Sequence, residues 1–149
     1  MKIDVFPHIM PRRYFDRMLQ VAPPGMALQK RMSGIPVLVD VEQRLRIMDR
    51  YEGYVQVLTL ANPPIEVVGS SDVSPELARL ANDGMAEVVA KHPDRFPGFV
   101  ASLPMNNPEA AVREISAQRN SNAGTAVAPS LGRWPISCAW PKPAKAGES

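Results

Sequence analysis

The sequence predicts an α/β protein in which strands and helices alternate along residues 2–115. Two observations predict this class. Runs of β-branched and aromatic residues are each followed by a segment with helical apolar spacing, and helix-capping residues stand between the two. Three such strand-then-helix units favour right-handed crossovers and a parallel sheet. With 45% hydrophobic and 21% charged residues in 149 positions, the chain has enough apolar side chains for one globular core.

The first unit begins with the β-prone run 3–5, which Pro7 closes. Its helix is predicted to start at Asp40, because an N-cap carboxylate accepts a free backbone N–H, and Gln43 stands at the capping-box position. The apolar positions one turn apart in this helix are Leu45 and Met48. We expect the helix to end near Gly53, since glycine is common just past a helix C-terminus.

The second unit begins with the strand 54–60, which is rich in β-branched and aromatic residues. Ser74 is predicted to cap the next helix, with Pro75 at the first helical position. The helix is expected to end at His92, because the residue before a proline disfavours helical geometry. Its predicted buried stripe consists of Leu77, Leu80, Ala81, Met85, Val88 and Val89.

The third unit has a predicted strand at 98–103 and a helix capped by Asn107. The expected inner face of that helix is Ala111, Val112 and Ile115. From about Ser116 the pattern changes, since residues 116–149 show no apolar period and contain repeated prolines. We interpret 1–115 as the structured part and 116–149 as an irregular tail, which is either a frameshifted end or a naturally disordered segment.

Charge and hydropathy exclude several classes of protein. The net charge is +2, but the tail holds four of the 17 bases and one of the 15 acids, so residues 1–115 are nearly neutral. No basic face favours nucleic acid, and no apolar run is long enough to span a membrane. The single cysteine, Cys138, has no nearby His or Asp to activate it as a nucleophile, and no secretion signal is evident. A cytoplasmic protein is therefore expected.

Several segments resemble one branch of the amidohydrolases, that of aminocarboxymuconate-semialdehyde decarboxylase. The opening 2–11, KIDVFPHIMP, is similar to the first strand of that branch. Further matches in order and spacing are 40–49, 55–60, 78–83, 92–96, 103–105 and 108–112. The resemblance implies a partial (β/α)8 TIM barrel, of which this chain holds the first three strand-helix units, with the active site at the carboxyl ends of the strands. It also implies a divalent metal, commonly zinc, and decarboxylation, hydrolysis or hydration of small unsaturated or aromatic acids.

The resemblance implies two metal ligands in a His-x-His pair on the first strand, where this chain reads Phe6-Pro7-His8. Phe6 cannot ligate a metal, so His8 is the remaining candidate, and its alternative is a half-buried imidazole bonded to the backbone. The other ligands and the catalytic histidine of the family lie on later strands. No catalytic residue is therefore assigned, His92 is no candidate by position, and this chain is not expected to bind a metal.

Two residues are candidates for binding a substrate carboxylic acid. Asn62 follows the second strand, although an asparagine before two prolines is more often a turn residue. Arg12 and its neighbour Arg13 could contact a carboxylate, although adjacent arginines on a loop are more often solvated. Asp4 is expected to orient other groups rather than to ligate a metal.

Two functional hypotheses follow from the sequence. In the first, the chain is a truncated amidohydrolase-related protein whose full-length parent is a metal-dependent decarboxylase or hydrolase of small carboxylic acids. In the second, it is a catalytically inactive βα fragment or protein-interaction module that self-associates, because the open edges of an incomplete sheet invite pairing. Neither hypothesis includes a nucleic acid or a membrane as partner.

Overall fold

The computed structural model describes residues 1–27, 30, 32 and 34–120. The elements in chain order are β1 (Lys2–Asp4), β2 (His8–Ile9), α1 (Arg12–Val21), a 3-10 turn (Pro36–Leu38), α2 (Val41–Met48), β3 (Tyr54–Leu60), α3 (Ile65–Val68), α4 (Ser74–Lys91), β4 (Gly98–Phe99) and α5 (Pro108–Asn120). Within this part of the chain, no helix combines the length and apolarity needed to cross a bilayer. Cys138 and the other residues of 121–149 lie outside the described residues.

Strand β3 is the centre of a parallel sheet. Strands β1 and β2 pair with one edge of β3, and β4 pairs with the other. The backbone distinguishes the edges, since Thr59 N–H donates to the Pro7 carbonyl at 3.1 Å while Val100 N–H donates to the Leu58 carbonyl at 2.8 Å. Successive strands along the chain are thus neighbours in the sheet, as consecutive βα units require. The predicted α/β class with a parallel sheet is confirmed.

The first strand contains a one-residue bulge. Asp4 lies opposite Gln56 and His8 lies opposite Thr59, so the first strand uses one residue more than β3 over the same length. Strand β1 ends at Asp4, before Pro7, as the sequence predicts, but a further short strand, β2, follows the proline. The bulge accommodates this proline, which has no N–H to donate, and pairing resumes immediately after it.

Helices cover one face of the sheet. Ile9 of β2, Leu58 of β3 and Phe99 of β4 are buried in one cluster. The helical members of that cluster are Met48 of α2 with Met85 and Val89 of α4. A second cluster joins α1 to α4 and contains Met10, Tyr14, Met18, Leu77 and Ala81. The predicted stripe of α4 is confirmed, because its members are buried or pack against these two clusters.

The opposite face of the sheet carries the alternate residues of each strand. Side chains alternate along a strand, so the neighbours in sequence of Ile9, Leu58 and Phe99 point away from the helices. Ile3 is paired with Val55 on this second face, and Val100 follows Phe99 onto it. Ile3 is 39% exposed and Val100 is 51% exposed. This face therefore leaves apolar side chains open to solvent at both of its sides, while His8 and Thr59 lie between them.

Helix α2 begins at its predicted cap but ends early. The Asp40 carboxylate accepts a hydrogen bond from the Gln43 N–H at 2.8 Å, which confirms the cap. The helix ends at Met48, so the prediction that it ends near Gly53 is wrong. Gly53 has a φ of 65° in the turn into β3, and its carbonyl accepts from the Lys2 N–H at 2.7 Å. The conformational freedom of glycine serves this turn rather than a helix end.

Helix α4 ends at His92 as predicted, but Ser74 does not cap it. Ser74 lies within the first turn and is fully buried. Its hydroxyl donates to the Asn106 side-chain oxygen at 2.5 Å, which ties α4 to the loop after β4. The prediction from local sequence fails because a tertiary partner binds the hydroxyl that would have capped the helix.

Strand β4 is shorter than the predicted 98–103. Asn82 of α4 is fully buried, and its side chain accepts from the Ser102 N–H at 2.8 Å and donates to the Ser102 carbonyl at 3.0 Å. One side-chain amide thus satisfies both backbone groups that a neighbouring strand would otherwise bind. The backbone of Ser102 is thus bound to α4 rather than paired in the sheet.

Helix α5 differs from its prediction in length and in orientation. Asn107 caps it as expected, accepting from the Ala110 N–H at 3.1 Å. The helix continues to Asn120, so residues 116–120 are helical rather than irregular. Of the predicted inner face only Ala111 is buried, because the buried Asn82 donates to Glu114 at 2.7 Å and so directs a polar stripe inward. The side chains left exposed are Val112 and Ile115.

Candidate functional site

The carboxyl ends of the parallel strands lie at one edge of the sheet. The loop after β2 leads into α1, the loop after β3 contains Asn62, and the loop after β4 contains Asn106. In sheets of this kind, ligands bind at that edge because all the loops that follow strands converge there. The bulge places His8 just before this edge, on β2.

The His8 ring is held by one hydrogen bond to Thr59. Its Nδ1 lies 3.0 Å from the Thr59 hydroxyl oxygen, and that hydroxyl donates to the Pro7 carbonyl at 3.1 Å. A hydroxyl has one proton, so Thr59 accepts from His8 and the Nδ1 atom carries the ring proton. The lone pair of the neutral ring is then on Nε2, as in a histidine ready to act as a base or a ligand.

Phe6 stands beside this ring. The two ring centroids are 4.6 Å apart in an edge-to-face arrangement, and Phe6 is 71% exposed. Its backbone N–H donates to the Asp4 carboxylate at 3.0 Å, which fixes the start of the bulge. A phenyl ring has no donor atom, so position 6 supplies packing against His8 and no metal ligand.

A chain of hydrogen-bonded side chains, called the polar relay below, connects Asp4 to the interior of the protein. The Tyr54 hydroxyl donates to the other Asp4 oxygen at 2.8 Å, and the Gln56 side chain donates to the Tyr54 oxygen at 2.9 Å. The guanidinium of Arg44 in turn donates to the Gln56 side-chain oxygen at 2.9 Å. Asp4 therefore holds the Phe6 backbone and the Tyr54 hydroxyl, and a role for it beside a metal site stays a prediction.

Arg44 is the buried end of this relay. It is 7% exposed, and it donates to the carbonyls of Val37 and His8 as well as to Gln56. Burial lowers the pKa of Arg44, while the nearby Tyr54 and Asp4 act to raise it. Sequence reasoning missed this residue. Its position four residues before Met48, on the inner face of α2, is the signal that could have identified it.

The phenol of Tyr54 is held in its protonated form. Burial raises its pKa, Gln56 lowers it through a hydrogen bond, and Asp4 raises it again. A protonated phenol can donate to Asp4 while accepting from Gln56, so the relay is satisfied along its whole length. A cavity of about 460 Å³ opens beside it, lined by Arg44, Tyr54 and Gln56 near the amino end of β3.

The predicted substrate residues lie on the surface. Arg12 forms an ion pair with Asp16 at 3.1 Å, and Arg13 forms one with Glu87 at 3.6 Å. Asn62 is exposed and precedes a cis peptide bond to Pro63. A contact between Arg12 or Asn62 and a substrate stays a prediction.

The two asparagines after β4 have structural partners. Asn106 accepts from Ser74 and donates to the Gly69 carbonyl at 3.0 Å. Asn107 caps α5 and also donates to the Ser71 carbonyl at 2.9 Å. Both amides therefore tie the loop after β4 to the neighbouring loop before α4.

The donors in the described residues do not by themselves fit a metal ion. A catalytic metal needs about three protein ligands. In residues 1–27, 30, 32 and 34–120 no group of three or more His, Cys, Asp or Glu side chains is placed to hold one. His92 lies at the end of α4, where its ring packs edge-on against Phe96 with centroids 6.3 Å apart.

Known proteins similar to this chain are decarboxylases. The chain matches no family model. It is 44% identical over 79 residues to a γ-resorcylate decarboxylase of Polaromonas sp., a match that covers 52% of this chain and 24% of that protein. The chain thus spans about a quarter of the length of the curated relatives that it matches.

Solved structures that are similar to this chain include decarboxylases as well. The crystal structure of 2,6-dihydroxybenzoate decarboxylase from Rhizobium has a TM-score of 0.62 and 30% identity, over 86% of this chain and 38% of that chain. The 5-carboxyvanillate decarboxylase of Novosphingobium aromaticivorans, crystallised with bound manganese, has a TM-score of 0.66 and 26% identity, over 81% of this chain and 39% of that one. The metal in this relative is manganese, whereas zinc was the metal expected from the sequence. By sequence and by fold, the chain is therefore similar to amidohydrolase-type decarboxylases, and its described residues have the fold of a partial (β/α)8 barrel.

Proposed function

We propose that this chain is part of a metal-dependent decarboxylase that acts on a small aromatic carboxylic acid with hydroxyl groups beside the carboxylate. The observation that carries the proposal is the His8 ring, whose Nδ1 is committed to Thr59 and whose Nε2 keeps its lone pair beside the carboxyl edge of the sheet. Two relatives support the substrate class: a γ-resorcylate decarboxylase, and a 2,6-dihydroxybenzoate decarboxylase solved in complex with 2,6-dihydroxybenzoate.

In this proposal, His8 is one imidazole ligand of a divalent metal. The further ligands come from outside the described residues, because His8 alone competes poorly with water for the ion. Phe6 removes a second donor from the same strand. We therefore propose that the 149-residue chain by itself holds no stoichiometric metal and has no turnover.

Elemental analysis tests this part of the proposal. After exposure to Mn²⁺ or Zn²⁺ and dialysis, we expect far less than one metal per chain. The variants Phe6→His and Phe6→Glu should add at most weak binding, since imidazole suits zinc and carboxylate suits manganese but two ligands do not close a site. Close to one tightly held metal per chain, lost in His8→Ala, would show ligands beyond those recognised here.

A chimera tests the decarboxylase assignment. Residues 1–115 of this chain, carrying Phe6→Glu or Phe6→His, replace the matching segment of the Polaromonas decarboxylase. We expect decarboxylation of 2,6-dihydroxybenzoate that is lost on His8→Ala and kept on His92→Ala, the only other histidine of the chain. A folded chimera whose activity does not depend on His8 would contradict the proposed ligand role.

The open sheet face favours a second candidate function, an inactive module that binds another protein. Ile3 and Val100 leave apolar surface on a face that the described helices do not cover. Large exposed apolar patches mark interaction sites in soluble proteins. This alternative predicts association without metal, which sedimentation measures.

A further inference from the structure

The bulge in the first strand leaves the direction of His8 dependent on strand register. One extra residue lies between Asp4 and His8 relative to the facing segment of β3. Without this extra residue His8 would lie opposite Leu60, and its side chain would point toward the helices. A contact that fixes the backbone on both sides of the bulge therefore also fixes the direction of the His8 side chain.

We propose that Arg44 is a positioning residue for the His8 ring, acting by fixing both ends of this bulge. Its guanidinium donates to the His8 carbonyl, which lies just after the bulge. Through Gln56 and Tyr54 it also reaches Asp4, whose carboxylate accepts from the Phe6 N–H just inside the bulge. Once this backbone is fixed, the bond to Thr59 sets the ring and leaves Nε2 free.

The environment of Arg44 supports a geometric role. The side chain is buried, and its hydrogen-bond acceptors are neutral: the Val37 carbonyl, the His8 carbonyl and the Gln56 amide. No ion pair involves it among the residues that the structure describes. The planar guanidinium carries five donors in a fixed arrangement and serves all three acceptors together, which lysine and methionine cannot reproduce.

The proposal goes beyond the proposed function, and its test needs neither metal nor substrate. Nuclear magnetic resonance of the full ¹⁵N-labelled chain, at a pH where both rings are neutral, reports the tautomer of each histidine and the contacts of its ring protons. We expect His8 as the Nδ1–H tautomer with cross-peaks to Phe6 and Thr59. His92, the second of two histidines, is the internal control because it lies at the far end of α4.

Variants at Arg44 and at a core residue distinguish an effect on the position of the His8 ring from a general loss of stability. In Arg44→Lys and Arg44→Met, we expect the His8 cross-peaks to be lost and a mixture of tautomers to replace the single form, while His92 is unchanged. Met85→Ala is the control for stability. It truncates a fully buried residue of the core cluster that contains Ile9 and Met48, and it should lower stability without changing the His8 signals.

A milder variant keeps the proposal testable if the Arg44 variants fail to fold. Tyr54→Phe removes only the hydroxyl that links Gln56 to Asp4, so it should weaken the contact between Phe6 and His8 in a folded chain. The His8 signature is its single Nδ1–H tautomer together with its cross-peaks to Phe6 and Thr59. If this signature is unchanged in folded Arg44 and Tyr54 variants, the proposal is overturned. Equal loss of the signature in Met85→Ala overturns it as well, because the effect would then follow stability alone.

Discussion

At the residue scale, Tyr14 is a buried phenol whose hydroxyl lacks a hydrogen-bond partner among the described residues. It is fully buried in the cluster between α1 and α4. Burial, helped by the negative charge of Glu66, raises the pKa of Tyr14 to about 12 from an ordinary value of 10.0. An unpaired buried hydroxyl costs stability, because it gives up its hydrogen bonds to water on folding.

This pKa predicts a loss of stability in alkaline solution. The folded state holds the proton more tightly than the unfolded chain, so the contribution is complete below pH 10.0 and is lost as the pH rises toward about 12. The loss for this one group is about 1.4 kcal/mol at pH 11, and it reaches its full value of about 2–3 kcal/mol only once the pH exceeds the folded pKa. Urea denaturation at pH 7 and pH 11 measures it.

The variant Tyr14→Phe isolates that effect. We expect its free energy of unfolding to rise by up to about 1 kcal/mol at pH 7, because the unpaired hydroxyl is gone. The variant should also fall less in stability than the parent chain between pH 7 and pH 11. Tyr51→Phe, at a residue that is 54% exposed, is the control and should change neither value. Equal alkaline losses in the parent and in Tyr14→Phe would contradict the assignment.

At the element scale, the cap of α2 is a local contact with a measurable contribution. Asp40 accepts from the Gln43 N–H at 2.8 Å. We expect Asp40→Ala to lower the free energy of unfolding by about 1 kcal/mol, because a helix N–H loses its partner. Asp40→Ser keeps a side-chain acceptor and should lose much less. Thermal unfolding of both variants checks the difference, and equal losses would show that the cap does not stabilise the helix.

The crossing of α1 and α4 depends on Gly84. A Cβ atom built on Gly84 would lie 2.3 Å from Cβ of Pro11, closer than two such atoms approach in proteins. We expect Gly84→Ala to lower the free energy of unfolding by about 1–3 kcal/mol, since the rigid proline ring cannot move aside. This outweighs the gain in helix propensity of at most about 1 kcal/mol.

A substitution elsewhere in α4 provides the control. Ala90 is exposed in the same helix, so Ala90→Gly should cost only the propensity difference, about 1 kcal/mol. Denaturant titration compares the two variants. A Gly84→Ala chain as stable as the parent would mean that the two helices separate without penalty.

At the scale of the whole molecule, the sheet has one covered and one open face. The covered face packs Ile9, Leu58 and Phe99 against α2 and α4. The open face carries Ile3 and Val100, both partly exposed. Parallel sheets are normally covered on both faces, so the chain carries apolar surface that association would remove from water.

This asymmetry predicts self-association. We expect sedimentation velocity to show concentration-dependent oligomers, and Val100→Lys to weaken association by about tenfold, equivalent to about 1.4 kcal/mol. Val67→Lys introduces the same charge at a residue of similar exposure on α3 and should have little effect. A compact monomer at all concentrations would contradict the prediction, and equal weakening by both variants would place the interface elsewhere.

Signals within a few residues of one another determined much of this fold. The strand Tyr54–Leu60, the cap at Asp40 and the stop at His92 each follow from a local pattern, because capping bonds and side-chain periods act within one or two turns. The α/β class followed from the order of such segments. His8 was identified from the opening segment by resemblance, without its surroundings.

Only the tertiary structure decided which residues surround His8. Thr59 lies 51 positions from His8 in sequence and Arg44 lies 36 positions away, and both bind it through contacts that no local period encodes. The polar inner face of α5 has the same origin, since the buried Asn82 of α4 selects Glu114 over the apolar Val112. Local sequence placed some boundaries, such as the start of α2 and the end of α4, whereas register and partner choice are set by packing between distant segments. A buried polar group must bind whatever partner the fold brings to it.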